Sequence, residues 1–361
     1  MSSNPKSATV AHTDPARGAN LYRLAIVGAG TLKGKEVAEV LSDRNFPSLD
    51  IKLLDDDESL GQLESLGDEV TFIQSVRSEQ FETVDFTFFA SDQVCTRKNW
   101  RTALRAGSAI VDLSFALEDE ADAAVRSPWI ERQLGHTLTP ELQPGPAVVA
   151  HPAAVVLALL LLRAQKAGQV RRVVATVFEP ASEHGQRGMD ELHEQTVNLL
   201  SFQEMPKKVF DVQVAFNMLS HYGEQALTPL ASVETRIVQH LTRITQNKVK
   251  VPSLVLVQSP IFHGYIFSIY IELEQEMSLK AFTNTFVGEH IALTPAGGEE
   301  PNNVNVAGQE DILLSVRADN IGGRKNAFWL WAAADNLKLS AITAVDSVAA
   351  LLLTHSKGRV Q

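Results

Sequence analysis

The first residues whose types could do chemistry form a glycine-rich turn near the amino terminus. Gly28, Gly30 and Gly34 follow a short hydrophobic run, Tyr22–Val27, and precede apolar residues with helical spacing at 35–41. Backbone amides at the start of a helix attract a pyrophosphate, and glycine lets the chain turn sharply beside it. The order of strand, turn and helix therefore predicts a dinucleotide site, although a purely structural turn would use glycine in the same way.

An acidic run follows the second predicted strand, at residues 51–54. It begins at Asp55 and continues through Asp56, Asp57 and Glu58. A carboxylate at this strand end can accept the ribose hydroxyls of NAD, whereas it would repel the extra phosphate of NADP. The run therefore favours NAD over NADP, and the alternative of a solvated acidic loop stays open. The residues assigned to the nucleotide by this pattern are Gly28, Gly30, Thr31, Leu32, Gly34 and Asp55.

The only thiol of the chain is Cys95, between a predicted strand at 84–90 and a predicted helix at 97–106. A single cysteine excludes an internal disulfide and a multi-cysteine zinc site, and it suits a reducing cytoplasm. The histidines of the second half lack the spacing of a metal-binding helix, so no metal is predicted. They are His184, His193, His221, His240, His263 and His290.

Composition excludes several classes of partner. The net charge of -11 over 361 residues disfavours a nucleic-acid surface, which needs clustered Lys and Arg. The longest apolar run, 147–162, is interrupted by His151 and Pro152 and is shorter than the roughly 20 residues of a bilayer span. We interpret it as a buried strand that leads into a core helix, and we expect no membrane segment and no signal peptide.

Alternation of strands and helices predicts an α/β fold for the first part of the chain, with a parallel, doubly wound sheet. After Pro152 longer β runs and amphipathic helices predict an α+β domain with a large mixed sheet, in which Trp329 and Trp331 share one strand face as packing residues. The last helix is expected to return to the first domain. The predicted strands lie at 22–27, 51–54, 84–90, 109–113, 173–178, 254–257 and 265–273, and the later helices at 188–200, 232–244 and 341–353. We expect a disordered tail at 1–19, a dinucleotide-binding domain at 20–153 and 335–361, and a second domain at 154–334.

Several short motifs occur in a specific order along the chain. They are 27–34, Val111-Asp112-Leu113-Ser114, 182–200 with Gly188, Glu191, Leu192, Gln195 and Thr196, Ala215-Phe216-Asn217, and Asp335-Asn336-Leu337. In this order they resemble the aspartate-semialdehyde dehydrogenase family, and within it the divergent Usg-type branch. The resemblance implies a Rossmann-like dinucleotide-binding domain followed by a catalytic and dimerisation domain.

The resemblance also implies a reaction. The family reduces an acyl phosphate to an aldehyde with NADPH, through a thioester on a cysteine assisted by a histidine. Its cysteine motif falls on residues 151–156, so that the cysteine position is Ala153 or, with the proline aligned differently, Ala154. Neither side chain has the lone pair that attacks a carbonyl carbon. We interpret Cys95, far from this motif in sequence, as a buried or incidental thiol.

The other catalytic positions implied by the resemblance also carry different residues. The histidine position falls on Tyr265, and the glutamine that orients the thioester is matched by Glu179. His263 is predicted to share a strand face with Tyr265, where it could act as a base. Gln258 and Glu118 stand where the family has substrate-binding arginines.

Two further positions are implied to be retained. Arg236 is matched to a basic residue that binds the substrate anion, and Asn336 is assigned to the nucleotide site. An acyl phosphate would nevertheless meet the carboxylates of Glu118 and Glu179 where it needs an anion clamp. The nucleophile, the base and the clamp are therefore expected to be lost together.

Two functions stay open at this point. The first is an inactive or repurposed relative of a cytoplasmic enzyme of amino-acid biosynthesis, which binds an unknown small molecule. The second is an NAD(P)-dependent oxidoreductase with altered chemistry, using Tyr265 or His263 as acid and base. The resemblance implies a two-fold homodimer through the large sheet, whose β runs keep apolar residues that need covering.

Overall fold

The computed structural model describes residues 21–55, 63–66, 69–136 and 145–352. The predicted tail at 1–19 and the acidic residues Asp56, Asp57 and Glu58 lie outside the described residues. Among the described residues, no helix is long and apolar enough to cross a membrane.

A parallel sheet of seven strands forms the first part of the fold. In chain order the elements are β1 (Tyr22–Val27), α1 (Leu32–Asp43), β2 (Ser48–Asp55), β3 (Leu63–Leu66), β4 (Glu69–Phe72), β5 (Gln74–Ser75), β6 (Phe86–Phe89), α2 (Gln93–Arg105), β7 (Ala109–Asp112), β8 (Ala124–Arg126), α3 (Pro128–Gln133), β9 (Ala147–Val149) and α4 (Pro152–Ala164). The strand order is β5-β2-β1-β6-β7-β9-β8, and each of these pairs is parallel. The order reverses between β1 and β6, which puts the glycine turn at the switch point where such sheets bind ligands.

A mixed sheet of six strands forms the second part. Its elements are β10 (Val170–Glu179), α5 (Gly185–Leu200), α6 (Leu230–Thr245), β11 (Ser253–Gln258), β12 (Tyr265–Leu273), α7 (Leu279–Asn284), β13 (Ile291–Leu293), β14 (Ile312–Asp319), β15 (Arg324–Ala334) and α8 (Asn336–Leu352). The order is β11-β10-β12-β15-β14-β13. Both sheets therefore confirm the predicted fold class of a doubly wound domain joined to an α+β domain.

Strict alternation gives the second sheet a core face and an outer face. Along β10, Val173, Ala175 and Val177 are buried, whereas Val174 between them is 41% exposed. Because side chains alternate along a strand, Glu179 at the end of β10 falls on the core face. The outer face carries apolar side chains, such as the paired Tyr270 and Trp329, and also polar ones, such as the paired Thr176 and Ser268.

Helices connect the two sheets. The helix α8 packs against α1, α3 and α4, beside strands β7 and β9 of the first sheet. The helix α4 is buried along nearly its whole length and packs on α6, so the apolar run at 147–162 is the predicted strand followed by a core helix. The domain boundaries at 153/154 and 334/335 stay a prediction.

All five helices predicted from apolar periodicity begin earlier than it indicated, and two of them show the cause. The helix α1 begins at Leu32 because the Thr31 side chain caps it by accepting the N–H of Gly34. The helix α2 begins at Gln93, where the Asp92 carboxylate accepts the N–H of Cys95. Cys95 thus lies in the first turn of a helix and not in the loop before it, because a polar capping residue, and not the first apolar one, begins a helix.

Two side chains of α5 hold the loop at 206–215. The Glu191 carboxylate is buried and accepts the N–H groups of Lys208, Val209 and Phe210 at 2.6, 2.7 and 3.2 Å. Gln195 accepts the N–H of Val214 at 2.7 Å. These two residues of the 182–200 motif are therefore structural anchors of a loop that would otherwise bury unpaired amides.

Replacing Glu191 by Ala leaves three amides without an acceptor, so we expect a loss of about 3 kcal/mol or more of unfolding free energy. Limited proteolysis should then cleave within 206–215. The matched control is Glu194→Ala, which removes an exposed carboxylate of the same helix. This control should change neither the unfolding free energy nor the rate of cleavage within 206–215. Equal stability of the two variants would refute the anchoring role.

Candidate functional site

Packing requires glycine at both ends of the glycine turn. Gly28 has φ +86°, and a Cβ there would stand 2.4 Å from the backbone N of Ser91. A Cβ on Gly34 would stand 2.0 Å from the Gly28 carbonyl oxygen. Close contact of β1, α1 and the loop after β6 therefore explains these two glycines, with or without a nucleotide.

The remaining nucleotide positions of the first sheet lie around the same turn. Asp55 ends β2 and its buried carboxylate accepts the N–H of Gly30 at 2.7 Å. The Thr31 hydroxyl donates to the Gly28 carbonyl at 2.8 Å, and Leu32 opens α1 beside it. The structure thus brings five predicted positions and Asp55 together at the switch point.

The positions of the family's cysteine lie at the start of α4. His151 caps this helix, and its Nδ1 accepts the N–H of Ala153 at 3.3 Å. Ala153 and Ala154 are fully buried, and neither has a functional group. A helix start is a suitable place for an activated thiolate, but no nucleophile is present at either position.

Cys95 packs on the other face of the first sheet. It belongs to the hydrophobic cluster of Ala25 and Val27, whereas Ala153 and Ala154 belong to the cluster of the other face. Cys95 is buried, and its Sγ lies 3.5 Å from the Asn99 amide nitrogen. The thiol therefore lies apart from the two positions that the resemblance assigns to the nucleophile.

The ends of three neighbouring strands bring Glu179, Gln258 and Tyr265 together on the core face. Glu179 pairs with Gln258 across β10 and β11, and Tyr265 begins β12 next to them. The Tyr265 hydroxyl donates to Glu179 Oε2 at 3.1 Å, and both side chains are fully buried. Burial and the Glu179 charge raise the pKa of Tyr265 well above its ordinary value, so the phenol keeps its proton.

Two side chains to which the sequence analysis assigned no role in this cluster, those of His184 and Tyr222, complete it. His184 Nε2 lies 3.0 Å from both Glu179 Oε1 and the Tyr222 hydroxyl. The Tyr222 hydroxyl donates to Gln258 Oε1 at 2.6 Å. Burial, then Glu179, raises the pKa of Tyr222, so it too stays protonated. The Glu179 carboxylate is thus satisfied from inside the protein.

His263 does not share a strand face with Tyr265, contrary to the prediction. It precedes β12, and Gly264 between the two residues has φ +86°, which breaks the alternation. His263 Nε2 lies 2.8 Å from Asp335 Oδ2, and its Nδ1 lies 3.2 Å from the Ser182 hydroxyl. Burial raises the pKa of Asp335, but the contact with His263 and the hydrogen bonds from the N–H groups of Lys338 and Gly308 together lower it below its ordinary value.

Arg236 is bound to Glu118 within the protein. Its Nε and Nη2 donate to the Glu118 carboxylate at 2.9 and 3.0 Å, and His240 Nε2 lies 3.1 Å from Glu118 Oε2. Burial would raise the pKa of Glu118, but the bonds from His240 and Arg236 lower it to about 2. Glu118 is therefore not the unpaired repelling charge that the sequence suggested, since the arginine of the predicted anion site neutralises it.

Asp112 holds the loop that carries Glu118. Its buried carboxylate accepts the hydroxyl of Ser114 at 2.6 Å and the N–H of Leu117 at 2.9 Å. Burial raises the pKa of Asp112. The 111–114 motif of the sequence therefore positions a loop and does not itself supply a reacting group.

Another carboxylate with a buried side chain, that of Glu183, lies between the two sheets. Its Oε1 stands 3.8 Å from Lys33 Nζ and 3.6 Å from His151 Nε2, and its Oε2 accepts from Asn336 Nδ2 at 3.4 Å. Burial raises the pKa of Glu183. Only weak signals in the sequence point to this group, namely a lysine inside the glycine turn and a histidine that interrupts an apolar run.

Comparison with known proteins identifies two domains. The family model described as semialdehyde dehydrogenase, NAD binding domain, matches residues 23–136, and the one described as semialdehyde dehydrogenase, dimerisation domain, matches residues 160–339. The chain is 28% identical over 334 residues to an aspartate-semialdehyde dehydrogenase of Rickettsia conorii, covering 91% of this chain and 96% of that protein.

Two proteins of Pseudomonas aeruginosa are also similar. A USG-1 protein homolog is 27% identical over 334 residues, covering 92% of this chain and 98% of the relative. A solved structure described as a probable aspartate-semialdehyde dehydrogenase matches with a TM-score of 0.80 and 25% identity, over 93% of this chain and 99% of that one. The resemblance read from the motifs is confirmed over nearly the whole chain.

The paired state of Glu118 makes stability depend on pH in one direction. The folded pKa of about 2 lies below the ordinary value of 4.5 for a glutamate, so the pair stabilises the protein above about pH 4.5. This contribution is lost as the pH falls through the folded pKa. We expect Glu118→Gln to lower unfolding free energy at pH 7 by about 1 to 3 kcal/mol, and the difference from the parent to shrink between about pH 5 and pH 2. Denaturant unfolding at several pH values measures it, and a difference that stays constant with pH would contradict the ion pair.

Proposed function

The chain belongs to the semialdehyde dehydrogenase family, and from that premise we propose that it does not perform the family's acylating dehydrogenase reaction. The observation that carries the proposal is the fully buried alanine at both candidate nucleophile positions, Ala153 and Ala154. A thioester needs a thiolate, and an aliphatic side chain cannot form one. We infer a repurposed protein that keeps the nucleotide-binding fold.

The partners of the nucleophile support the same conclusion. Glu179 and Tyr265 are hydrogen-bonded to each other and fully buried, so the tyrosine does not act as a base near neutral pH. Gln258 donates to two backbone carbonyls, and Arg236 is bound to Glu118. No base and no anion clamp therefore faces an acyl phosphate at these positions.

One observation favours the alternative, an oxidoreductase with altered chemistry. His263 is oriented by Asp335 at 2.8 Å, and its side chain remains 23% exposed. A histidine held by a carboxylate is a common general base. An NAD- or NADP-linked turnover that disappears in His263→Gln would establish this alternative against the proposed binding function.

We expect the purified protein to show no phosphate-dependent oxidation of aspartate semialdehyde. Ala153→Cys and Ala154→Cys should each remain inactive, because Tyr265, Gln258 and the paired Arg236 still supply no base and no clamp. The control is Cys95→Ser. Turnover that persists in Cys95→Ser, or turnover that Ala153→Cys or Ala154→Cys produces, would contradict the proposal.

We also propose that the nucleotide site prefers NAD over NADP. Asp55, held at the glycine turn by the Gly30 N–H, supports this because a carboxylate there repels a 2′-phosphate. Either nucleotide should raise the melting temperature only if it binds the folded state. NAD should raise the melting temperature more than NADP does at equal concentration. The Asp55→Asn variant should reduce the difference between these two shifts. A larger shift with NADP would contradict the preference.

We further propose a two-fold homodimer through the outer face of the six-stranded sheet. Val174, Val255 and Trp329 are 41%, 50% and 37% exposed on that face, an apolar surface that an isologous contact would cover. Light scattering should give twice the 39.4 kDa of one chain. Val255→Glu should reduce the mass toward one chain, whereas Ile321→Glu, in the exposed turn between β14 and β15, should not. A parent mass of one chain refutes the dimer.

A further inference from the structure

Glu183 lies between the glycine turn and the start of α4, which carries Ala153 and Ala154. We call the space between these two segments the passage. Lys33, one of the partners of Glu183, belongs to the first turn of α1, and His151, another, caps the helix that carries Ala153. The third partner, Asn336, opens α8. The Glu183 side chain is only 6% exposed, so it fills this passage and does not extend into solvent.

The surrounding side chains close the passage further. The Lys33 ammonium donates to the Leu113 carbonyl at 3.3 Å and lies 4.8 Å from the centroid of the Phe115 ring. The Phe115 ring in turn stacks on His151, with centroids 5.5 Å apart. A continuous packed layer therefore runs from the nucleotide turn to the start of α4.

Hydride transfer needs this passage to be open. A nicotinamide ring must lie against the reacting carbon, which the nucleophile holds at Ala153 or Ala154, with reacting atoms about 3 to 3.5 Å apart. A planar ring does not fit between Glu183 Oε1 and Lys33 Nζ, which are 3.8 Å apart. The residues at this end of the site therefore do not fit the nicotinamide, whereas the other end has the strand, glycine turn and helix start that hold a pyrophosphate in dinucleotide-binding folds.

We propose that the glycine turn binds the adenosine diphosphate half of a dinucleotide and that Glu183 excludes the nicotinamide half. This inference rests on the nucleotide binding proposed above. It assigns to the site a ligand class without a hydride carrier, such as ADP or ADP-ribose.

The backbone keeps Glu183 in place. The N–H groups of Ala181 and Ser182 donate to the carbonyls of Ile261 and Phe262, each at 2.9 Å, and so fasten the turn to the chain before β12. On the other side, a Cβ at Gly188 would stand 2.5 Å from the Ala181 carbonyl oxygen, so α5 packs directly on the turn.

Calorimetry with ADP-ribose, NAD⁺ and NADH tests the exclusion. In the parent protein ADP-ribose should bind at least as tightly as either dinucleotide. In proton NMR of the NAD⁺ complex, the adenine lines should broaden more than the nicotinamide lines. Glu183→Ala should tighten NAD⁺ and NADH by about tenfold, equivalent to about 1.4 kcal/mol, and leave ADP-ribose within about twofold.

The matched variant Glu183→Gln separates size from charge, since it keeps the volume and should behave as the parent does. Parent binding of NAD⁺ tenfold tighter than ADP-ribose would overturn the inference, and so would weaker NAD⁺ binding by Glu183→Ala, which would mean that the carboxylate attracts the ring. Failure of every variant to bind any of the three ligands would overturn both the inference and the proposed nucleotide binding. Turnover of an acyl phosphate in a protein that prefers ADP-ribose would refute the proposed function alone.

Discussion

A carboxylate buried between two sheets must find its hydrogen-bond donors inside the protein, and this requirement organises the whole junction. Glu179 is hydrogen-bonded to Tyr265 and His184, and Glu118 is hydrogen-bonded to Arg236 and His240. A further set of donors surrounds Glu183. Arg236, which the resemblance matched to an anion-binding residue, is thus engaged by the chain itself. The contacts that stabilise the fold also occupy the side chains on which the proposed function rests.

These contacts make the departures from the family pattern interdependent. A glutamate at 118 is tolerated because Arg236 reaches it with two hydrogen bonds across the junction. A glutamate at 179 is tolerated because Tyr265 has a hydroxyl in reach. Removing one partner leaves an unpaired buried charge, which is more destabilising than the pair is stabilising. On the proposed function the site is thus a consistent alternative arrangement, and we expect no single substitution to restore the family's reaction.

The sequence predicted the elements that depend on local patterns. The strand predicted at 173–178 lies within β10, and the apolar run at 147–162 forms β9 and α4, because both predictions use residues that are close together in the chain. Contacts between distant segments escaped it: Glu118 and Arg236 are 118 residues apart, and nothing in local spacing pairs them. His263 was placed wrongly because Gly264, at φ +86°, interrupts the strand period at that point. The Glu183 cluster required the relative positions of both sheets, which motifs alone do not give.

Intact-protein mass spectrometry after exposure to an acyl phosphate is the sharpest test of our proposal that no acyl-enzyme forms. The protein would be incubated with an acyl phosphate, quenched in acid to preserve any thioester, and weighed beside Cys95→Ser. Our proposal requires the unmodified mass for both proteins, because Ala153 and Ala154 offer no nucleophile and Cys95 packs on the other face of the first sheet. A stoichiometric adduct of one acyl group, retained in Cys95→Ser, would contradict it.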